Sequence, residues 1–490
     1  MAKQTLLRPC RNHVDSGPGN LVDFHNSSSG DVQVRRYLIF FTAGLSLFMS
    51  AIDSTVVAVA FPNFTKELHS TVLWSSWTIS IFFIAVTVTL PLAGNLADSF
   101  GRKKLFLVSL LLFTGSSLAC GLAPNIYTLI AFRFLQGLGG ACFVPAASGI
   151  VSDHFPDNRE AVIGLITSIY FIGTAVGPNL GGWVVSQYSW RYIFYINVPI
   201  GILLMASSTV LLRERKNFSQ PQVDLAGVGF MSGLLLCLMV GLNLAGESFS
   251  TLSLILAAFF VLLSSLFTVL FLRQEKRTAQ PIIDTALLRS RPFAAANLSN
   301  LILGMTMMGV FSFIPFYAVS VHGLSTLMSG MILTPRSLAM TIAAVITSLL
   351  LKRWGYRWPM VISFVVIAFS TVLLAPRLFP LELTGVRWGT VETLSLVLFL
   401  NGLAGGMVYP ASNNACIELM PEKVSTIVGL RNMFRNIGAA LGVTLTTSIL
   451  HLTNDPARGF TVVWILFGLT FLVSVPLLFL MPAGRRASWG

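Results

Sequence analysis

Three ionisable side chains lie well inside long apolar runs: Asp53, Arg133 and Arg336. An acid or base in hydrocarbon costs roughly 2.5–3.5 kcal/mol on insertion scales, so such a group faces a cavity or a partner. Asp53 stands in Ala51-Ile52-Asp53-Ser54-Thr55-Val56-Val57. No other carboxylate falls near the middle of a run, which makes Asp53 the candidate proton carrier. Burial favours its neutral form and a nearby Arg133 favours its charged form, so alternating exposure to two compartments can switch it. The competing role is a static Asp53–Arg133 bridge that only fixes helix packing. Arg336 also has two readings, attraction of an anionic group or pairing with backbone carbonyls. Arg435 lies near the start of a run, where it can snorkel. Glu392 and Glu418 lie at run ends and reach water.

The runs that hold these residues are membrane spans. The 490-residue chain is 54% hydrophobic and 10% charged. Soluble domains carry about 25% charged residues, so there is too little charge to cover a water-facing surface. A spanning helix needs about 20 mainly apolar residues. Splitting at charged and Pro/Gly-rich stretches predicts spans at 37–61, 73–93, 104–122, 127–151, 161–186, 191–212, 225–244, 251–272, 293–319, 326–350, 359–375, 393–418, 430–450 and 460–481. A long loop, 377–391, follows the eleventh.

Basic residues fix the orientation. Arg35, Arg102–Lys104, Arg159, Arg213, Arg273, Lys352, Lys423, Arg431, Arg485 and their basic neighbours fall on one face. The other face has Lys66, Arg191, Arg377, Arg387 and Arg458. Both termini are therefore expected in the cytoplasm. This segregation also explains the net charge of +13 without nucleic acid. The expected domains are a flexible tail (1–34), a six-helix bundle (35–212), a linker with two extra helices (213–292), a second six-helix bundle (293–482) and a short tail (483–490). Five scattered cysteines, an odd number without CxxC, indicate neither a disulfide framework nor a zinc site. The six histidines are placed in tails or loops, which argues against a metal centre. Asn63-Phe64-Thr65 is a glycosylation sequon expected on the outer side.

Several stretches go beyond composition. Gly94-Asn95-Leu96-Ala97-Asp98-Ser99-Phe100-Gly101-Arg102-Lys103-Lys104 links spans two and three. Its glycines permit a tight turn, and Asp98 can cap a helix or pair with Arg102. Arg133-Phe134-Leu135-Gln136-Gly137-Leu138-Gly139-Gly140-Ala141 lies in span four. Gly173-Thr174-Ala175-Val176-Gly177-Pro178-Asn179-Leu180-Gly181-Gly182 lies in span five, where small residues let helices approach closely. Trp190-Arg191-Tyr192 through Gly201, Asp224–Gly227, Pro335-Arg336 and Arg431–Gly442 add to the pattern.

Together these motifs resemble the major facilitator superfamily, and within it the fourteen-helix drug:proton antiporters of the EmrB/QacA-like branch. The resemblance runs from about Tyr37 to Pro482 and is stronger in the first half. It implies an all-α integral membrane fold of two six-helix bundles plus two inserted helices. It implies a multi-pass protein of the plasma (inner) membrane that exports amphipathic small molecules by proton antiport, with no cofactor beyond the proton gradient. Its partners would be substrate, protons and the bilayer, and no nucleic acid. By the same resemblance, Asp53 and Arg133 couple protons. Gly94, Asp98, Gly101 and Arg102 form a conformational latch with Asp153 as ionic partner. Gly173, Gly177, Pro178, Gly181 and Gly182 form the antiporter motif. Two departures stand out: Ala58 and Phe61 replace the Asn and Leu usual in the first helix. Spans nine to thirteen also offer no mid-membrane carboxylate, which disfavours a dicationic substrate.

An importer of the same fold is disfavoured by the fifth-helix motif, and a lipid, glycolipid or metabolite transporter remains the alternative. No nucleotide loop, HExxH or nucleophile motif points to an enzyme.

Overall fold

In the computed structural model, residues 29–155, 159–212, 224–247, 251–278, 290–375, 382–383, 386–387, 389–419, 424–453 and 455–481 are described. Some side chains within them, including Gly94 and Asp98, lie outside the described residues.

The first half holds α1 (Ser29–Glu67), α2 (Val72–Phe100), α3 (Arg102–Gly121), α4 (Ile126–Ala141), α5 (Phe143–His154), α6 (Arg159–Gln187), α7 (Tyr192–Tyr195) and α8 (Asn197–Leu211). A pair follows, α9 (Leu225–Glu247) and α10 (Thr251–Glu275). The second half begins with α11 (Arg291–Gly304), which runs through a π-helical turn (Met305–Gly309) and a 3-10 turn (Val310–Phe313) into α12 (Ile314–Ser320). It continues with α13 (Thr326–Met331), α14 (Thr334–Trp354), α15 (Arg357–Leu373), α16 (Thr390–Leu419), α17 (Val424–Thr453) and α18 (Pro456–Leu478). Between α15 and α16, β1 (Glu382–Leu383) pairs antiparallel with β2 (Val386–Arg387).

Among the described residues, ten helical segments are long and apolar enough to cross a membrane, and 226–242 and 357–373 are shorter apolar helices. The outer surface agrees with that reading. Along α10, Leu252, Ile255, Phe259, Leu262 and Leu266 are all more than half exposed. A contiguous apolar face of this kind suits a hydrocarbon surrounding.

Several expectations are corrected. Helix α1 starts at Ser29, inside the stretch expected to be a tail. Span four holds as one apolar segment, Ile126–His154, with a turn at Cys142 that divides it into α4 and α5. Helix α17 begins at Val424, so Arg431, expected at the cytoplasmic edge of span thirteen, sits about two turns inside a helix and is buried. His154 and His451 fall in the last turns of α5 and α17, not in loops. The long loop after span eleven carries the β1–β2 hairpin.

The halves meet through α2 against α17 and α6 against α13 and α14. Their polar links are Ser76 to Thr447 (3.3 Å), Thr326 to Asn63 (3.3 Å) and Thr334 to Asn179 (2.9 Å). Phe61 packs edge-on against Phe313 and Phe316, each at 5.3 Å between ring centroids. The sequon residue Asn63 therefore lies within α1 against the second half. Helix α9 packs on both α2 and α17, beside their joint.

Candidate functional site

Asp53 is fully buried, and four other helices of the first half converge on it. Arg133, on α4, donates from Nη1 to Asp53 Oδ2 at 2.7 Å. Its Nε donates to the Thr78 carbonyl of α2 at 3.2 Å. The guanidinium carbon lies 4.3 Å from the Phe82 ring centroid. Gln136 follows Arg133 by three residues and shares its helix face. Its Nε2 donates to Asp53 Oδ1 (2.8 Å) and to Ser117 Oγ of α3 (2.5 Å), while its Oε1 accepts from Arg133 Nη1 (2.6 Å). Asn197, at the start of α8, donates to Asp53 Oδ1 (3.0 Å) and Ser117 Oγ (3.2 Å).

Asp53 thus receives three donors from three side chains. That arrangement satisfies an ionised carboxylate. A protonated Asp53 brings its own O–H and needs an acceptor, so taking up a proton forces the amides of Gln136 and Asn197 to re-pair. Both halves of the expected Asp53–Arg133 pair are in place. Gln136 and Asn197 stood in motifs but were given no role. Gln136 was reachable from the helical spacing to Arg133. Asn197 carries no charge to set it apart from the other amides of the apolar runs, such as Asn179 and Asn401.

The fifth-span glycines pack α6 onto α1 beside this network. A Cβ on Gly173 would lie 2.7 Å from Ala51 Cβ and 2.9 Å from the Phe48 carbonyl. One on Gly177 would overlap Thr55 Oγ1, and one on Gly181 would lie 2.5 Å from Val56 Cγ2. These three, one helical turn apart, form a flat seam along the helix turns that carry Asp53. Gly182 and Pro178 face elsewhere. Gly182 has the Thr326 carbonyl of α13 3.1 Å from a built Cβ, and the Pro178 carbonyl abuts Gly330. The motif therefore grips α1 on one side and the second half on the other.

At the α2–α3 turn, Gly101 has φ 91°, a left-handed value that glycine adopts without strain. Arg102 pairs with Asp153 of α5 at 2.8 Å and donates to the Gly149 carbonyl at 2.8 Å. A Cβ on Gly149 would stand 2.8 Å from Arg102 Nε, so this glycine makes room for the guanidinium. The structure thus brings Arg102 and Asp153 together, while the Asp98 side chain lies outside the described residues. Lys103 donates to the carbonyls of Thr209 and Leu212, and Arg35 to that of Leu211. Both place positive charge at the C-terminus of α8. At the far end of α1, Glu67 accepts from Trp190 Nε1 (2.7 Å) and pairs with Arg191.

The family model described as Major Facilitator Superfamily matches residues 43–443 and 330–489. The chain belongs to the major facilitator superfamily. It is 28% identical to the multidrug transporter protein MdtP of Bacillus subtilis (strain 168), over 86% of this chain and 76% of that one. It is 30% identical to multidrug resistance protein 3 of the same organism, over 85% and 80%. It is 30% identical to the tetracenomycin C resistance and export protein of Streptomyces glaucescens, over 85% and 76%. Among solved structures, a point mutant of the nucleoside transporter NupG matches with a TM-score of 0.65 at 14% identity, covering 91% of this chain and 99% of that one. That likeness bears on the fold alone.

In this major facilitator chain the second half carries a different polarity. Arg336 donates to Asn401 Oδ1 (3.2 Å) and to the Met307 carbonyl (3.3 Å). Backbone pairing, one of the two expectations for it, is thus present. Arg435, expected to snorkel, lies well inside α17 over the Tyr409 ring at 5.7 Å. Glu392 and Glu418 are exposed, as expected. No cluster of His, Cys, Asp or Glu among the described residues could hold a metal ion.

Proposed function

We propose that this chain is a fourteen-helix drug:proton antiporter of the plasma membrane, exporting amphipathic small molecules by alternating access, with both termini in the cytoplasm. The ten long apolar segments, the two shorter ones and the helices α6 and α17 support the helix count. The printed names of the relatives, multidrug transport and antibiotic export, support efflux.

One observation carries the coupling reading: a fully buried carboxylate whose donors come from Arg133, Gln136 and Asn197. Those donors sit on α4 and α8, so exchanging one hydrogen bond at Asp53 changes what holds α1 against its neighbours. Proton binding is thereby converted into helix movement. The Gly173–Gly181 seam gives α1 a flat face against α6, and the Arg102–Asp153 pair acts as a latch that opens and closes with the cycle. In this conformation Asp53 is closed from solvent, so proton exchange requires the bundle to open.

The test uses everted membrane vesicles, an imposed acid-inside gradient and a fluorescent dye, with wild type and Asp53→Asn at equal expression. Wild type accumulates dye and dissipates the gradient. Asp53→Asn loses gradient-driven accumulation but keeps dye exchange down its own gradient. Full gradient-driven accumulation by Asp53→Asn would overturn the assignment.

A further inference from the structure

Three guanidiniums gather in the second half around one tyrosine. Arg336 of α14 lies 4.8 Å from the Phe311 ring centroid and is held by Asn401 and the Met307 carbonyl. Arg431 of α17 is 4% exposed and donates to the Tyr409 carbonyl at 3.3 Å. Arg435, one turn further along α17, lies over the Tyr409 ring. Tyr409, on α16, is also within electrostatic reach of Arg336. Across the divide, Tyr170 of α6 lies near Ser54, the residue after Asp53, and near Arg435 and Tyr409. The group therefore stands where the second half faces the first.

Among the described residues no carboxylate pairs with Arg336, Arg431 or Arg435. The Nε groups of Arg431 and Arg435 are buried with no hydrogen-bond partner. Burying like charges together without a counter-charge is unfavourable, and stacking on Tyr409 and Phe311 offsets it only in part. Each guanidinium offers a planar fork of donors suited to a carboxylate, sulfonate or phosphate. The adjoining Met307, Phe311 and Tyr409 offer adaptable apolar surface.

We infer that Arg336, Arg431 and Arg435, with Tyr409, form a binding site for the anionic head of an amphipathic substrate. The inference rests on the efflux reading above and adds to it a substrate class. The first half carries the proton at Asp53 and the second half carries the anion.

The test separates binding from transport. Purified protein in neutral detergent is titrated with fluorescein (anionic), rhodamine B (zwitterionic) and rhodamine 6G (cationic), which share a xanthene skeleton, and binding is read by polarisation. Fluorescein is expected to bind more tightly than rhodamine 6G. Arg435→Gln and Arg336→Gln are each expected to weaken fluorescein about tenfold or more, leaving rhodamine 6G unchanged or improved. Arg435→Lys should recover part of the loss. Adding phosphatidylglycerol, with phosphatidylcholine as control, tells a lipid headgroup from a free anion. Selective displacement assigns the site to lipid and no displacement assigns it to a soluble anion, the site standing in both cases.

Absence of fluorescein binding, or an equal loss of all dyes in the folded variants, overturns the inference. Vesicle transport of the same dyes tests the efflux reading separately. Charge-selective binding without gradient-driven movement sinks efflux and leaves the site. Movement of rhodamine 6G without fluorescein binding does the reverse.

Discussion

Replacing Arg133 by Gln tests whether the buried pair is a working electrostatic unit. The substitution removes the donor to Asp53 Oδ2 (2.7 Å), the bond to the Thr78 carbonyl (3.2 Å) and the contact with the Phe82 ring (4.3 Å). It leaves a fully buried carboxylate with two neutral amide donors. Removing one partner of a buried ion pair costs about 3–5 kcal/mol, because the remaining charge is uncompensated. Replacing both charges by neutral amides is far cheaper. In the double variant Asp53→Asn/Arg133→Gln, Gln136 and Asn197 keep a partner, and the expected cost is about 1 kcal/mol. The unfolding entropy of a chain this long is about 1 kcal/mol/K, at about 2.1 cal/mol/K per residue. The single variant should therefore lower the thermal midpoint by about 3–5 °C, and the double variant should recover most of that. Detergent-solubilised wild type and variants are melted side by side in one buffer. Both variants should lack gradient-driven transport. A single variant with an unchanged midpoint, or a double variant as unstable as the single, would refute the reasoning.

Gly177→Val pushes a branched side chain into Thr55, costs about 1–3 kcal/mol and should reduce folded yield in size-exclusion profiles; pairing it with Thr55→Gly should restore part of the yield. Oxidising Asn63→Cys/Thr326→Cys should cross-link the halves, whose side chains now meet at 3.3 Å, and stop transport until a reductant is added, as read by gel shift and dye accumulation. Asp224 accepts from Gly227 N (2.8 Å), Gln274 Nε2 (3.0 Å) and Thr278 Oγ1 (2.8 Å). Burial opposes its charge, but these donors outweigh it and hold the carboxyl below its ordinary value of 3.8. Its contribution is therefore present above that value and lost as pH falls through the lowered one. Asp224→Ala should cost about 1 kcal/mol as a lost helix cap, with faster hydrogen exchange at the start of α9 near neutral pH and no difference from wild type in strong acid.

What could be read from the residues follows from contrast. Asp53 and Arg133 stand out because a lone charge in an apolar run has no solvated explanation, and the structure places them 2.7 Å apart. Arg102 and Asp153 were paired by resemblance, and they too meet. Gln136 and Asn197 carry no charge and so do not stand out, although a buried amide also needs hydrogen-bond partners. Arg431 was expected at the edge of its span, among the charges of the cytoplasmic face. The polar stretch around Lys423 resembles a loop, yet α17 starts at Val424 and draws the arginine inside. The breaks at Cys142 and at Met305–Phe313 were invisible because apolar residues continue through them. Hydropathy reports where a chain is buried and says little about how it is wound.

That winding matters most where α11 passes into α12. A wide turn at Met305–Gly309 is followed at once by a narrow one at Val310–Phe313. The wide turn holds Met307, whose carbonyl receives Arg336, and the narrow one ends at Phe313, which closes on Phe61. A 3-10 stretch inside a helix often marks a hinge, and a π turn often marks a functional site. The carbonyl that receives Arg336 and the ring that meets Phe61 thus sit on one short, irregularly wound segment, so a change in its winding would be felt at both.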